Sequence, residues 1–347
     1  HIQNKINPHQ MNQDSQSNEL QKTRYELIQQ LKSLNCTLSD ISLSEISKPS
    51  LKPLQLDFSL CRTLRGHSAA VYACDWYQNT LATCGMDQNI ILWNPQKQQK
   101  LQLIQTEQPY NLSVCFNAAG SQLVSGGLDC AVTLYSLNPS TKLKLHEHGN
   151  FVTALKYLTP QKLLSGSADR TIKIFDLQQQ AEETNLCVHF KDVLSLDVLN
   201  ANVFASGSCD GFARVFDYRQ QKQVQIFNCQ HADCNSVKFH PSRQQIGVAT
   251  SLGKFLLYDL RNNQLLQEFQ PQGKQISVQS MKSFSFSKSG RIAFCALEQK
   301  IYAFDIMLGM DLGEVGEHEA CISDLQLCPQ GECLASVGWD GLGKIWA

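Results

Sequence analysis

From residue 58 onward, short stretches of alternating polarity recur between polar turns. "VYACDW", "VTALKY", "VLSLDV" and "SVKF" each place apolar residues at every second position. That period of two marks half-buried strands. A second pattern follows each of them: a small-residue turn, an Asp or its substitute, then an apolar strand ending near an aromatic. The copies are "CGMDQNIILWN" (84–94), "GGLDCAVTLYS" (126–136), "GSADRTIKIFD" (166–176), "GSCDGFARVFD" (207–217), "TSLGKFLLYDL" (250–260), "CALEQKIYAFD" (295–305) and "VGWDGLGKIWA" (337–347). Their key positions are Asp87, Asp129, Asp169, Asp210, Leu252, Glu298 and Asp340, at intervals of 42, 40, 41, 42, 46 and 42 residues. Seven copies at a near-constant period imply stacked units that cannot bury their apolar faces alone.

Upstream of the strands the pattern changes period. Residues 18–46 contain no Gly or Pro, and Leu20, Arg24, Leu27, Leu31, Leu34, Leu38 and Ile41 alternate spacings of four and three. Six of these seven are apolar, which is a heptad seam. Asn18 is suited to cap the helix, and Pro49 ends it because the residue before proline avoids helical geometry. The division expected is a disordered segment at 1–17, an amphipathic coiled-coil helix at 18–47, a linker at 48–57 and the repeat array at 58–347. Periodicity leaves the helix's partner open: the wall of the array, a second copy, or another polypeptide.

Composition narrows the function. The formal net charge is -1 and the pI about 6.8, so no basic excess invites nucleic acid and no basic helix face invites a membrane. No apolar run reaches spanning length, and the first residues are polar, unlike a secretory leader. The 14 Cys are scattered without a CxxC, so buried reduced thiols in a cytosolic protein are expected rather than a metal site. No cofactor is implied. A His recurs with the repeat Asp: His67 with Asp87, His148 with Asp169, His189 with Asp210, His318 with Asp340. A hydrolase triad also uses His and Asp, but a pair that returns once per unit does the unit's structural work. The copies at Leu252 and Glu298 lack the Asp, and the copy at Asp129 lacks the His, so these units are expected to be looser.

The repeats resemble the WD-repeat family, whose units form propeller blades. The resemblance implies an all-β, seven-bladed propeller closed by a shared blade, with "FSLCRTL" (58–64) supplying the fourth strand beside the last repeat. It also implies a buried His–Asp hydrogen bond in each complete repeat. The heptad helix followed by "RTLRGHSAAVYACDW", "SGGLDCAVTLYSL", "SFSFSKSGR" and "GWDGLGKIW" is similar to the beta subunits of heterotrimeric G proteins. That family implies no catalysis. Its helix pairs with a small prenylated gamma subunit, here through Leu20, Leu27, Leu31, Leu34, Leu38 and Ile41. Its propeller binds a GDP-bound alpha subunit and, when released, effectors. The family pattern carries the alpha and effector contacts to Tyr72, Tyr110, Leu112, Leu128, Phe151, Asp192, Leu194, Asp233, Asn235 and Trp339. Ser68, Ala70 and Ser251 depart from it, standing where the family has a Leu, a Lys and an acidic residue. The implied location is the inner face of the plasma membrane, reached through lipidated partners. The alternative is a WD-repeat scaffold or adaptor in another assembly.

Overall fold

The computed structural model describes Leu56, residues 58–271 and residues 279–347. The heptad segment, with Leu20, Leu27, Leu31, Leu34, Leu38 and Ile41, lies outside the described residues. Strands β1 to β28 form seven antiparallel sheets of four. Blade 1 is β2–β5 (71–105), blade 2 is β6–β9 (111–147) and blade 3 is β10–β13 (152–186). Blade 4 is β14–β17 (193–228), blade 5 is β18–β21 (234–269) and blade 6 is β22–β25 (281–317). Blade 7 joins β26 (Ile322–Leu327), β27 (Leu334–Gly338) and β28 (Leu342–Trp346) to β1 (Leu60–Arg65), in the order β1-β28-β27-β26.

The ring closes as the sequence predicts. Register runs from Leu60 opposite Trp346 to Arg65 opposite Leu342. The ladder extends one step further, with Ser59 and Ala347 exchanging backbone hydrogen bonds of 3.0 and 3.2 Å. Closure removes the unpaired edge that an open sheet would present. The first strand of each blade adjoins the first strand of the next, and β26 adjoins β2 (Val71–Tyr77). These seven strands therefore surround a central channel. The middle strands are the most buried, as in β20 (Phe255–Asp259), where every residue is buried. The outer strands face solvent on one side, as in β17 (Lys222–Asn228).

Every inner strand carries a β-bulge at its second residue. Pairing skips from Val71 to Ala73 in blade 1, and likewise around the ring to Ile322 and Asp324 in blade 7. A bulge leaves one residue without a cross-strand partner and turns its side chain aside. Seven bulges at one level thus give the channel mouth a ring of re-aimed side chains.

One position departs from the sequence alignment. Glu298 does not take the place of the repeat Asp. In blade 6 β23 (Ile292–Leu297) and β24 (Lys300–Asp305) are joined by two residues, with Leu297 opposite Lys300. In blade 1, by contrast, three residues separate β3 (Thr80–Gly85) from β4 (Asn89–Asn94). The tight hairpin puts Glu298 at φ 49°, as two-residue turns require. Glu298 therefore has the register of Met86 and Trp339, one place before the Asp.

Candidate partner-binding face

Two sets of turns meet at the bulged end of the channel. The residue after each second strand donates its N–H to the carbonyl of the residue that leads into the same blade. Met86 reaches Ala70 at 2.8 Å, Leu128 reaches Tyr110 at 3.2 Å and Trp339 reaches Cys321 at 2.9 Å. Ala168, Cys209, Ser251 and Glu298 do the same to Phe151, Asp192, Asp233 and Ser280. The close approach explains the preceding glycines. A Cβ on Gly85 would lie 2.3 Å from the Ala70 carbonyl oxygen, and one on Gly127 would lie 2.2 Å from that of Tyr110.

This geometry sorts the sequence-predicted residues into three groups. Tyr72, Leu112, Leu194 and Asn235 are all bulge residues and line one cavity of about 180 Å³ in the channel mouth. Thr153, Lys282 and Ser323 complete their ring. Tyr110, Phe151, Asp192 and Asp233 are lead-in residues, half-buried, with their carbonyls committed to the hairpin tips. Leu128 and Trp339 are tips, 46% and 53% exposed. Asn235 is anchored by Nδ2, which donates to Ser280 Oγ at 3.0 Å and to the Met281 carbonyl at 2.8 Å. Burial, with the neighbouring Tyr110, holds the Tyr72 phenol above its ordinary pKa.

Trp339, Met86 and Leu128 are the tips of blades 7, 1 and 2, which are neighbours in the ring, and all three are exposed. Three large apolar side chains thus stand in solvent on neighbouring blades at one end of the ring. Met86 was missed by sequence reasoning, although "GMD" and "GWD" place it in register with Trp339. Phe190, 78% exposed beside His189 at the same end of blade 4, was also missed. Nothing in its local pattern separates it from a core aromatic. Among the departures, Ser68 donates its N–H to Asp87 Oδ2 at 3.1 Å. Ser251 Oγ accepts the Asp233 N–H at 3.0 Å. Both therefore keep their backbone roles in the face.

The His–Asp pairs lie just beneath the tips. His67 Nδ1 meets Asp87 at 2.9 Å and Nε2 meets Thr83 Oγ1 at 2.7 Å, while Trp93 Nε1 donates to the same Thr83 oxygen at 2.8 Å. Blade 7 repeats the set with His318, Asp340, Ser336 and Trp346. His148–Asp169–Ser165 and His189–Asp210–Ser206 repeat it without the tryptophan. The arrangement has the connectivity of a hydrolytic triad. Its hydroxyls are sealed, however: Thr83, Ser165, Ser206 and Ser336 are at most 1% exposed, so substrate cannot reach them. The relays tie each turn to its own blade. Burial holds all four imidazoles below their ordinary pKa against the pull of the carboxylates, with His189 lowered to about 4.

Below the mouth lies a charged waist that sequence reasoning also missed. Asp75, Lys156, Asp197 and Lys238 each stand fifth in their inner strands, and Asp324 lies beside them. The carboxylates bridge blades. Asp75 accepts the Phe116 N–H at 2.8 Å, Asp197 that of Phe239 at 2.7 Å, and Asp324 that of Cys74 at 3.2 Å. Burial pushes Lys156 down, but Asp75 at 3.8 Å leads the groups that lift it above its ordinary value. Burial prevails at Lys238, which is lowered, and its Nζ donates to the Leu325 carbonyl at 2.9 Å. Their sequence signal is a charged residue at an inward position of an otherwise apolar-alternating strand.

A family model described as "WD domain, G-beta repeat" matches residues 58–94, 139–176 and 310–347. Each match begins before the outer strand of one blade or with it and continues through three strands of the next. The sequence repeat is therefore offset from the blade by one strand and laces neighbours together. Guanine nucleotide-binding protein subunit beta of Oryza sativa subsp. japonica is 32% identical over 319 residues, covering 84% of each chain. The chain belongs to the beta-subunit family. The subunit of the same name from Arabidopsis thaliana is 32% identical over 318 residues, again 84% of each chain. That of Solanum tuberosum is 31% identical over 356 residues, 94% of each. The three segments matched by the family model carry the relays of His67, His148 and His318.

Proposed function

We propose that this chain is a non-catalytic signalling subunit. In this reading it pairs with a small gamma subunit through residues 18–47. It holds a GDP-bound alpha subunit against the bulged face and, once alpha leaves, offers the same face to effectors. The observation that carries the reading is the exposed arc of Trp339, Met86 and Leu128 beside the ring of Tyr72, Leu112, Leu194 and Asn235, in a family whose relatives bear the beta-subunit name. Interfaces draw most of their affinity from a few aromatic and apolar anchors of this kind. Asp192 and Asp233 flank the ring and would set the partner's orientation rather than its affinity. Release follows if GTP moves alpha into a conformation with lower affinity for this face. Membrane contact would come through lipid on the partners, placing the assembly at the inner face of the plasma membrane.

The test is a pull-down on the full chain from native membranes, once with GDP and once with a non-hydrolysable GTP analogue. A small subunit retained in both, and a larger nucleotide-binding subunit released by the analogue alone, is the expected result. A partner set indifferent to nucleotide, with no small subunit, would instead favour a scaffold or adaptor.

A further inference from the structure

Blade 2 keeps the carboxylate of the relay and lacks its imidazole. Thr106 stands in the histidine's place. Its N–H reaches the Gln88 carbonyl at 2.8 Å, as the His148 N–H reaches Cys130 and the His318 N–H reaches Gln299, each at 2.8 Å. The Thr106 hydroxyl turns away to the Gln88 and Gln108 carbonyls, both at 2.9 Å. Ser125, the counterpart of Thr83, has the Tyr135 phenol as its neighbour instead. Asp129 is left exposed. Its Oδ1 accepts the Ala131 N–H at 3.2 Å, and its Oδ2 has no hydrogen bond among the described residues. In the four relay blades that second oxygen holds an imidazole or a turn N–H, or both.

The missing imidazole coincides with a cavity of about 590 Å³ opening beside Leu128 and Tyr110. Its walls offer Tyr110, Tyr135, Leu128 and Pro109 as apolar and aromatic surface, with Asp129 among them. The other charges on its lining already have partners. Lys142 is paired with Glu107 at 2.5 Å, and Lys144, which also feels the Asp129 charge, is paired with Glu147. One exposed carboxylate oxygen is therefore uncommitted at a cavity whose lining includes two tyrosines, a setting for a cation on an aliphatic stem. Blade 4 shows which cation fits. There Arg214 Nη1 donates to Asp210 Oδ2 at 2.6 Å, on the same turn of the repeat. A planar guanidinium can both bond the carboxylate and lie along an aromatic ring.

We propose that the blade 2 cavity is a receptor site for an arginine side chain carried by the protein that covers Leu128 and Tyr110. The inference rests on the proposed function for the existence of that protein, and on blade 2 alone for the site. Specificity of the face then has two parts: the apolar arc supplies contact area, and Asp129 selects partners with an arginine at one position.

The experiment uses the full chain, with any small co-purifying subunit retained and any alpha subunit released by a non-hydrolysable GTP analogue, and N-acetyl-arginine amide as probe in saturation-transfer NMR. N-acetyl-citrulline amide, neutral and nearly isosteric, is the control. The expected result is transfer to the arginine probe, none to citrulline, and loss of transfer in Asp129→Asn. Thr133 occupies the register of Arg214, so Thr133→Arg should seat an internal guanidinium on Asp129 and abolish transfer with the carboxylate intact. Partner recovery should fall roughly tenfold in both variants, the scale of one charge-assisted hydrogen bond. Equal transfer to both probes, or transfer that survives both substitutions, overturns the site. Probe binding with unchanged partner recovery overturns its use by the partner. Because the probe is read without alpha, failure of the nucleotide-dependent pull-down would strike the proposed function and leave the site standing.

Discussion

Blades 7 and 1 are pinned by polar relays, whereas blades 5 and 6 are pinned by phenylalanine. In blade 1 a His, an Asp, a Thr and a Trp form one chain of hydrogen bonds. In blade 5 every member of that chain is gone together: Leu252 stands for the Asp, Val248 for the Thr and Tyr258 for the Trp. Losing the Asp alone would strand a buried imidazole nitrogen and a turn N–H, each costing about 1–3 kcal/mol. What replaces the relay is a cluster of Phe255, Phe269, Phe284, Phe286 and Phe304 shared by blades 5 and 6. Ring centroids are 4.9 Å apart for Phe255 and Phe284 and 5.5 Å for Phe269 and Phe304. From the missing Asp the sequence predicts looser blades; where the relay is missing the structure has a packed phenylalanine cluster. A relay contains groups that titrate, while the clustered phenylalanines contain none.

Five substitutions would break or sharpen that contrast. Phe255→Ala should cost the most, about 3–5 kcal/mol in urea denaturation, because Phe255 is fully buried among the other rings. That loss should be the same at pH 7 and pH 5; a strongly pH-dependent loss would refute the neutral character assigned to blade 5. Asp340→Ala should follow at about 3 kcal/mol, since it leaves buried His318 and the Glu319 and Leu342 N–H groups without their acceptor. Leu252→Ala, at the matching place in blade 5 and 41% exposed, should stay within about 0.5 kcal/mol. Equal losses from these two would remove the distinction between the blades.

Of the relay and the phenylalanine cluster, acid should act on the relay and not on the cluster. Burial, with the Arg214 charge beside it, lowers the folded His189 imidazole from 6.5 to about 4. The unfolded chain therefore takes up the proton first. The stability from this group is complete above pH 6.5 and is lost as pH falls toward 4, by about 3 kcal/mol. Denaturation midpoints between pH 7 and pH 4 should show the loss, and His189→Gln should make the fall shallower by that share, leaving the part due to His67, His148 and His318. An equally steep fall in the variant would place the titration elsewhere. The smallest effect on stability, within about 0.5 kcal/mol, is expected for exposed Trp339→Ala. The same change should weaken alpha binding by about 2 kcal/mol or more. Aggregation or unfolding of that variant would make Trp339 a structural residue.

The sequence itself determined the number of blades, the strand at 58–64 that closes the ring, and the pairing of His67, His148, His189 and His318 with their carboxylates. It could do so because each rests on a local pattern copied at a fixed interval, and seven copies average out the ambiguity of any one. Tertiary structure decided what lies between copies. The inner-strand bulges that gather Tyr72, Leu112, Leu194 and Asn235 into one ring are insertions relative to a partner strand, so they exist only once two strands are paired. The two-residue hairpin at Glu298 shifts its register by one place for the same reason. The charges of Asp75, Lys156, Asp197, Lys238 and Asp324 lie far apart along the chain and converge only when the ring closes. The unfilled carboxylate of Asp129 is likewise invisible in a motif that contains it, because what makes it available is the absence of an imidazole from the space beside it.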